Sequence, residues 1–211
     1  MLICLSKIKS VGKQRFEAFS DGVFAIAITL LVLEIHLPDA ETLSNGLLLQ
    51  YLAHLWPQLL TYVTSFVTIG IIWLNHHSTF VHIERVDRTT LSLNLLLLLT
   101  VCFVPFPTAL LAKYGALPAS TVLYGATLTA MGLSYGALWY YVVLKESDRN
   151  PASPSSIDKF KVFQGMAGTG VYFLGTLLAF VAPRASVFLF IVVAIYYAIP
   201  GRLERAHRTQ S

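Results

Sequence analysis

The chain alternates long apolar runs with short polar breaks along all 211 of its residues. A helix needs about 20 apolar residues to cross the roughly 30 Å hydrocarbon layer. Six runs are assigned as spans, at 16–37, 51–74, 91–112, 119–144, 162–182 and 186–200, the last being the shortest. The breaks between them are polar or turn-forming. Pro38-Asp39-Ala40-Glu41 follows the first run, Asn75 to Thr90 the second, Lys113 to Pro118 the third, Lys145 to Lys161 the fourth and Pro183-Arg184 the fifth. The pattern predicts an all-α membrane protein, a single six-helix domain over 1–211. Pro105 and Pro107 each remove a backbone donor inside the third run, so a bent or broken third helix is expected. In the fifth run, Gly165, Gly168, Gly170 and Gly175 suit close helix contact in lipid.

Composition supports the membrane reading. The chain is 55% hydrophobic with a mean hydropathy of +0.66 and only 12% charged residues, too little charge to clothe a soluble globule of this size. The net charge of +4 does not point to nucleic acid, because the basic residues sit in the breaks, where positive charge has a topological use. Of 15 Lys and Arg residues, only Lys113 and Arg184 fall on one side of the alternating spans. Cytoplasmic segments carry the excess, so both termini are expected in the cytoplasm of a multi-pass protein of the cell membrane. Lys7, Lys9, Lys13 and Arg15 ahead of the first run look superficially like a signal peptide. That run contains Asp21, continues to Leu37 and lacks a small-x-small cleavage site, so it is expected to remain in the mature protein. Cys4 and Cys102 are too few and too far apart for a disulfide or metal framework.

The first helix carries the candidate chemistry. On a period of 3.6, Gly22, Ile26, Thr29, Leu30, Leu33 and Leu37 share one stripe, and Asp21 points away from it. Such a stripe is either packing or the lining of a pore. Asp21 is costly at membrane depth, about 2.5–3.5 kcal/mol on insertion scales. It either caps or pairs near the interface, with a basic or histidine side chain from another span, or touches a transported ion. At the other end, Glu34 and His36, with Asp39 and Glu41 beyond, form either a solvated helix end or a cation-attracting outer mouth. His76, His77, His82, Glu84 and Asp87 lack any recognised metal spacing, and adjacent histidines on a helix project in different directions. No cofactor is expected.

Arg15-x-x-x-Phe19-Ser20-Asp21, followed by Gly22-Val23-Phe24-Ala25-Ile26-Ala27-Ile28-Thr29, strongly resembles the signature first helix of the transmembrane protein 175 family of potassium channels. Gly70-Ile71-Ile72-Trp73-Leu74-Asn75-His76-His77 with Phe80, and Asn94 leading into Pro105-Phe106-Pro107, resemble that family's second and third helices. The resemblance is close over the first half and rests on helix count and length in the second. It implies that the first helices of the subunits line the pore, with Ile26 at the hydrophobic constriction, Leu30 and Leu33 as further apolar rings, and Thr29 as the hydroxyl tied to cation preference. It also implies a polar network of Arg15, Phe19, Ser20, Asp21, Trp73, Asn75, His76, His77 and Asn94 that fixes the pore helix and the assembly. Single-copy prokaryotic members of that family look like tetramers, so the resemblance implies a homotetramer for this chain with its one motif copy.

The chain has no TVGYG segment, so potassium preference over sodium is expected to be moderate, since fewer oriented dipoles replace the hydration shell. A secondary cation or proton transporter is the nearest alternative, although the two halves show no inverted repeat. An intramembrane hydrolase would have only Ser20 with His76 or His77 to work with, and no GxSxG motif supports it. The protein is not expected to be an enzyme.

Overall fold

The computed structural model describes residues 2–35, 45–81, 86–149 and 159–199. The described residues are helical throughout. Helix α1 (Leu2–Leu30) continues as a 3-10 turn over Leu31–Glu34. A short α2 (Asn45–His54) leads into α3 (Trp56–Val81). Then come α4 (Arg88–Phe103), α5 (Pro105–Tyr114), α6 (Pro118–Arg149), α7 (Lys159–Leu178) and α8 (Pro183–Ala198). Among the described residues, three stretches are long and apolar enough to cross a membrane: Gly12–Glu34, Trp56–Phe80 and Arg88–Tyr114. Met166–Leu178 and Pro183–Ala198 are apolar but shorter.

Helix α6 has 32 residues, ample length for a crossing, but Ser120, Thr121, Thr127, Thr129 and Ser134 dilute its hydropathy. All five are buried. Thr127, Thr129 and Ser134 turn their hydroxyls onto carbonyls of their own helix four residues back, which is how a helix carries hydroxyls away from water.

The expected bend lies at Val104. Pro105 has no N–H for the Val101 carbonyl, and the Val104 amide donates to that oxygen instead at 3.1 Å. The helix thereby breaks into α4, which packs on α1 and α6, and α5, which packs on α3, α6 and the 3-10 turn. Gly115 ends α5 at φ 65°, where a side chain would be strained, and its amide closes on the Leu111 carbonyl.

The second span differs most from its expected limits of 51–74. Helix α3 begins at Trp56 and runs on to Val81, because two of the polar residues that appeared to end it face the inside of the bundle while Asn75, His77 and Ser78 stay exposed on its other side. His76 and Thr79 are both buried. Pro183 and Arg184, read as a break, are the first residues of α8, where a proline costs no hydrogen bond.

Helices α6, α7 and α8 interlock through glycine. A Cβ at Gly125 would collide with the Thr176 hydroxyl and come within 2.6 Å of the Phe190 ring. One at Gly132 would collide with Thr169, and one at Gly175 would come 2.6 Å from Phe190. Gly168 lies under the Tyr197 ring, whereas Gly170 faces open space. Replacing Gly125 by Ala is therefore expected to lower stability by about 1–3 kcal/mol. The thermal midpoint of the detergent-solubilised protein measures it, and an unshifted midpoint beside an equally neutral Gly170→Ala would refute the close fit.

Candidate functional site

Helix α1 has two unlike faces. At about 100° per residue, Ser20, Phe24, Ala27 and Leu31 fall on one side, and all four are buried. Phe24 packs on the His76 ring at 5.4 Å and Phe16 on Phe80 at 5.0 Å. The opposite side holds Gly22, Ile26, Thr29, Leu30 and Leu33, all exposed in the single chain. Ile26 is 60% and Leu33 71% exposed, against 1% for Phe24, so nothing among the described residues covers the stripe. Leu37 lies outside the described residues. The Thr29 hydroxyl donates to the Ile26 carbonyl at 2.9 Å. Its hydrogen is thus used within the helix, and its oxygen lone pairs remain for whatever occupies that side.

The buried side is held by a hydrogen-bond chain with a single direction. His76 Nε2 donates to Asn94 Oδ1 at 2.8 Å, the Asn94 amide donates to Ser20 Oγ at 3.0 Å, and the Ser20 hydroxyl donates to the Phe16 carbonyl at 3.1 Å. Ser20, His76 and Asn94 are all essentially inaccessible. The chain joins α3 to α4 and α4 to α1, and it assigns the proton of His76 to Nε2, because the Asn94 oxygen needs a donor. Beside it, the Trp73 indole donates to Asp21 Oδ1 at 2.9 Å. Of the partners open to Asp21, the structure shows Trp73, one of the residues expected in the polar network with it.

Other residues expected in this network lie elsewhere. Arg15 and Phe19 are exposed on the same side of α1 as Ile26. His77 is exposed beside the Trp73 ring, 6.3 Å away. The Asn75 side chain is exposed, while its backbone carbonyl accepts from Thr79 at 2.9 Å and from the Tyr135 hydroxyl at 3.2 Å. Glu34 is half-buried at the end of the 3-10 turn. His36, Asp39, Glu41, His82 and Glu84 lie outside the described residues.

Two polar clusters escaped the sequence reading. Asp87 caps α4 through the Thr90 amide at 2.9 Å, accepts from the Tyr141 hydroxyl at 2.7 Å and pairs with Lys145. Burial alone would raise its carboxyl, but the bonds from Lys145, Thr90 and Tyr141 outweigh it and hold the group well below the usual carboxylate range. Deeper in the bundle, Ser65 bridges Thr108 at 2.8 Å and Tyr124 at 2.9 Å, tying α3 to α5 and α6.

Apolar helices of spanning length, with most buried hydroxyls and amides paired inside, mark an integral membrane protein that is helical among the described residues. Comparison with known proteins places it further. Residues 15–105 match the model of the endosomal/lysosomal potassium channel TMEM175 family. A potassium channel of Streptomyces collinus is 40% identical over 187 residues, covering 87% of this chain and 90% of that one. A potassium channel of Chamaesiphon minutus is 40% identical over 194 residues, covering 88% and 93%. The crystal structure of a lysosomal potassium-selective channel TMEM175 homolog from Chamaesiphon minutus superposes with a TM-score of 0.77 at 38% identity, over 90% of this chain and 97% of that one. The chain belongs to the TMEM175 family.

Replacing Asn94 by Leu keeps the branched shape of the side chain but leaves the His76 N–H buried without an acceptor, an expected cost of about 1–3 kcal/mol. The thermal midpoint in detergent reads this directly. A second replacement, His76→Leu, should recover part of the loss, because the two residues share one bond. Strictly additive losses would show that the bond contributes nothing.

Proposed function

We propose that the chain is one subunit of a homotetrameric, potassium-permeable cation channel of the cell membrane, with six crossings, cytoplasmic termini and a pore lined by α1. The observation that carries this reading is the two-faced first helix: one side is tied to α3 and α4, while Ile26, Thr29, Leu30 and Leu33 stand exposed on the other. An exposed stripe of this kind meets either lipid or other copies of the chain. The family's relatives named as potassium channels favour other copies.

With α1 repeated around a closed symmetry axis, Ile26 forms an apolar ring that closes by excluding water, and modest widening lets a partly hydrated cation pass. Leu30 and Leu33 extend the apolar lining. Thr29 supplies hydroxyl oxygens, whose lone pairs replace a small part of the hydration shell. Moderate potassium selectivity follows from so few dipoles. Ser20, Asn94 and His76, with Asp21 on Trp73, set the rotation of α1. Glu34, Asp39 and Glu41 raise the cation concentration at the outer mouth.

Reconstitution in planar bilayers with potassium and sodium on opposite sides tests the reading. Unitary currents with a potassium-leaning reversal potential are expected, and electrically silent exchange, the behaviour of a secondary cation or proton transporter, would sink it. Ile26→Asn should wet the constriction and raise the current severalfold, whereas an unchanged conductance would remove Ile26 from the gate. Thr29→Val should move the reversal potential toward the non-selective value. A reversal potential identical to that of the parent would exclude the hydroxyl from selection.

A further inference from the structure

At the end of the bundle opposite the Ser20–Asn94–His76 chain, a cavity of about 340 Å³ opens between the first turns of α3, the end of α5 and the first turns of α8. Its volume falls within the about 300–1,000 Å³ of ligand sites. Trp56, Leu60, Phe188 and Phe190 form its walls, with Tyr124 and Arg184 also lining it. The hydroxyls that line it are already committed. Thr61 donates to the Pro57 carbonyl, Thr64 to the Leu60 carbonyl, and Tyr124 is bonded to Ser65. To an occupant the interior is therefore apolar, and Arg184 is the lining residue that carries a charge. Among the described residues Arg184 makes no ion pair. Lys113, the other cation read onto this side, lies over the Tyr114 ring, 5.6 Å from its centre. Trp56 and Tyr114 are both exposed at this end, the side chains that settle at headgroup depth.

We propose that this cavity binds an anionic glycerophospholipid, with an acyl chain against the apolar walls and the headgroup phosphate on the Arg184 guanidinium. The chemistry is complementary at both ends. Arginine's planar fork bonds two phosphate oxygens at once, and the partial positive charge of the α8 N-terminus adds to it. A zwitterionic lipid offers the same phosphate beside an ammonium that repels the arginine, so the anionic lipid binds more tightly. The proposal rests on the chain lying in a membrane, and it stands or falls separately from ion conduction.

Native mass spectrometry of the purified full-length protein, titrated in detergent with phosphatidylglycerol or phosphatidylcholine, provides the test. Phosphatidylglycerol adducts are expected at about tenfold lower lipid concentration than phosphatidylcholine adducts. Arg184→Gln should abolish that preference, Arg184→Lys should keep part of it, and Leu60→Trp, which fills the cavity, should weaken both lipids. A preference that survives Arg184→Gln, or lipid binding untouched by Leu60→Trp, overturns the proposal. So does a change of subunit number in Leu60→Trp with unaltered adducts, since a neighbouring copy would then occupy the cavity. If Arg184→Gln fails to fold, Arg184→Lys and Leu60→Trp decide by the same readings.

Discussion

At membrane depth a polar group has no water to fall back on, and here the requirement is met by one hydrogen-bond chain from His76 through Asn94 and Ser20 to the Phe16 carbonyl. Each link uses a donor and an acceptor, so the three side chains bond as a unit. The rotation of α1 follows from it. With Ser20 turned to Asn94, Phe24 and Leu31 must enter the core, and Ile26, Thr29 and Leu33 must face out. The stripe is thus a consequence of where the polar residues bond as much as of its own apolarity. Asp21 sits at the edge of this arrangement, held by Trp73 of the same helix that supplies His76.

Much of this was legible from periodicity. The spacing of Ile26, Leu30 and Leu33 placed them on one side of a helix, and Pro105 marked the interruption at Val104, because a missing N–H acts wherever it falls. The end of α3 was not legible. Hydropathy treats Asn75, His76 and His77 as a polar break whether they meet water or Asn94, and only the tertiary partner tells these apart. Motif proximity does not fix direction either: Arg15 and Phe19 are neighbours of Ser20 in sequence but are exposed on another side of the helix. The Asp87–Lys145–Tyr141 cluster had no local signal, since its members come from two helices far apart in the chain. Gly125 and Gly132 did carry one, a separation of two helical turns on α6, which went unread beside the denser glycines of α7.

The break at Val104 also shapes the far end of the bundle. Helix α4 stays with α1 and α6, while α5 leans on α3 and the 3-10 turn. Leu111 and Gly115 of α5 thereby become part of the wall of the cavity that Arg184 overlooks. One missing amide hydrogen thus influences two places, the packing behind the first helix and the space at the opposite end.

The glycine seats of α6, α7 and α8 impose a different kind of demand from the polar chain. A hydrogen bond specifies chemistry: Asn94 can be an amide and little else if both His76 and Ser20 are to be served. A fitted surface specifies volume: a Cβ at Gly125 or Gly175 would come 2.6 Å from the Phe190 ring, whatever side chain carried it. The bonds that orient α1 thus restrict residue type, whereas the seats between α6, α7 and α8 restrict size. That difference fits the extent of the family match, which ends at residue 105, while the overall shape is shared along 90% of the chain with the solved relative from Chamaesiphon minutus.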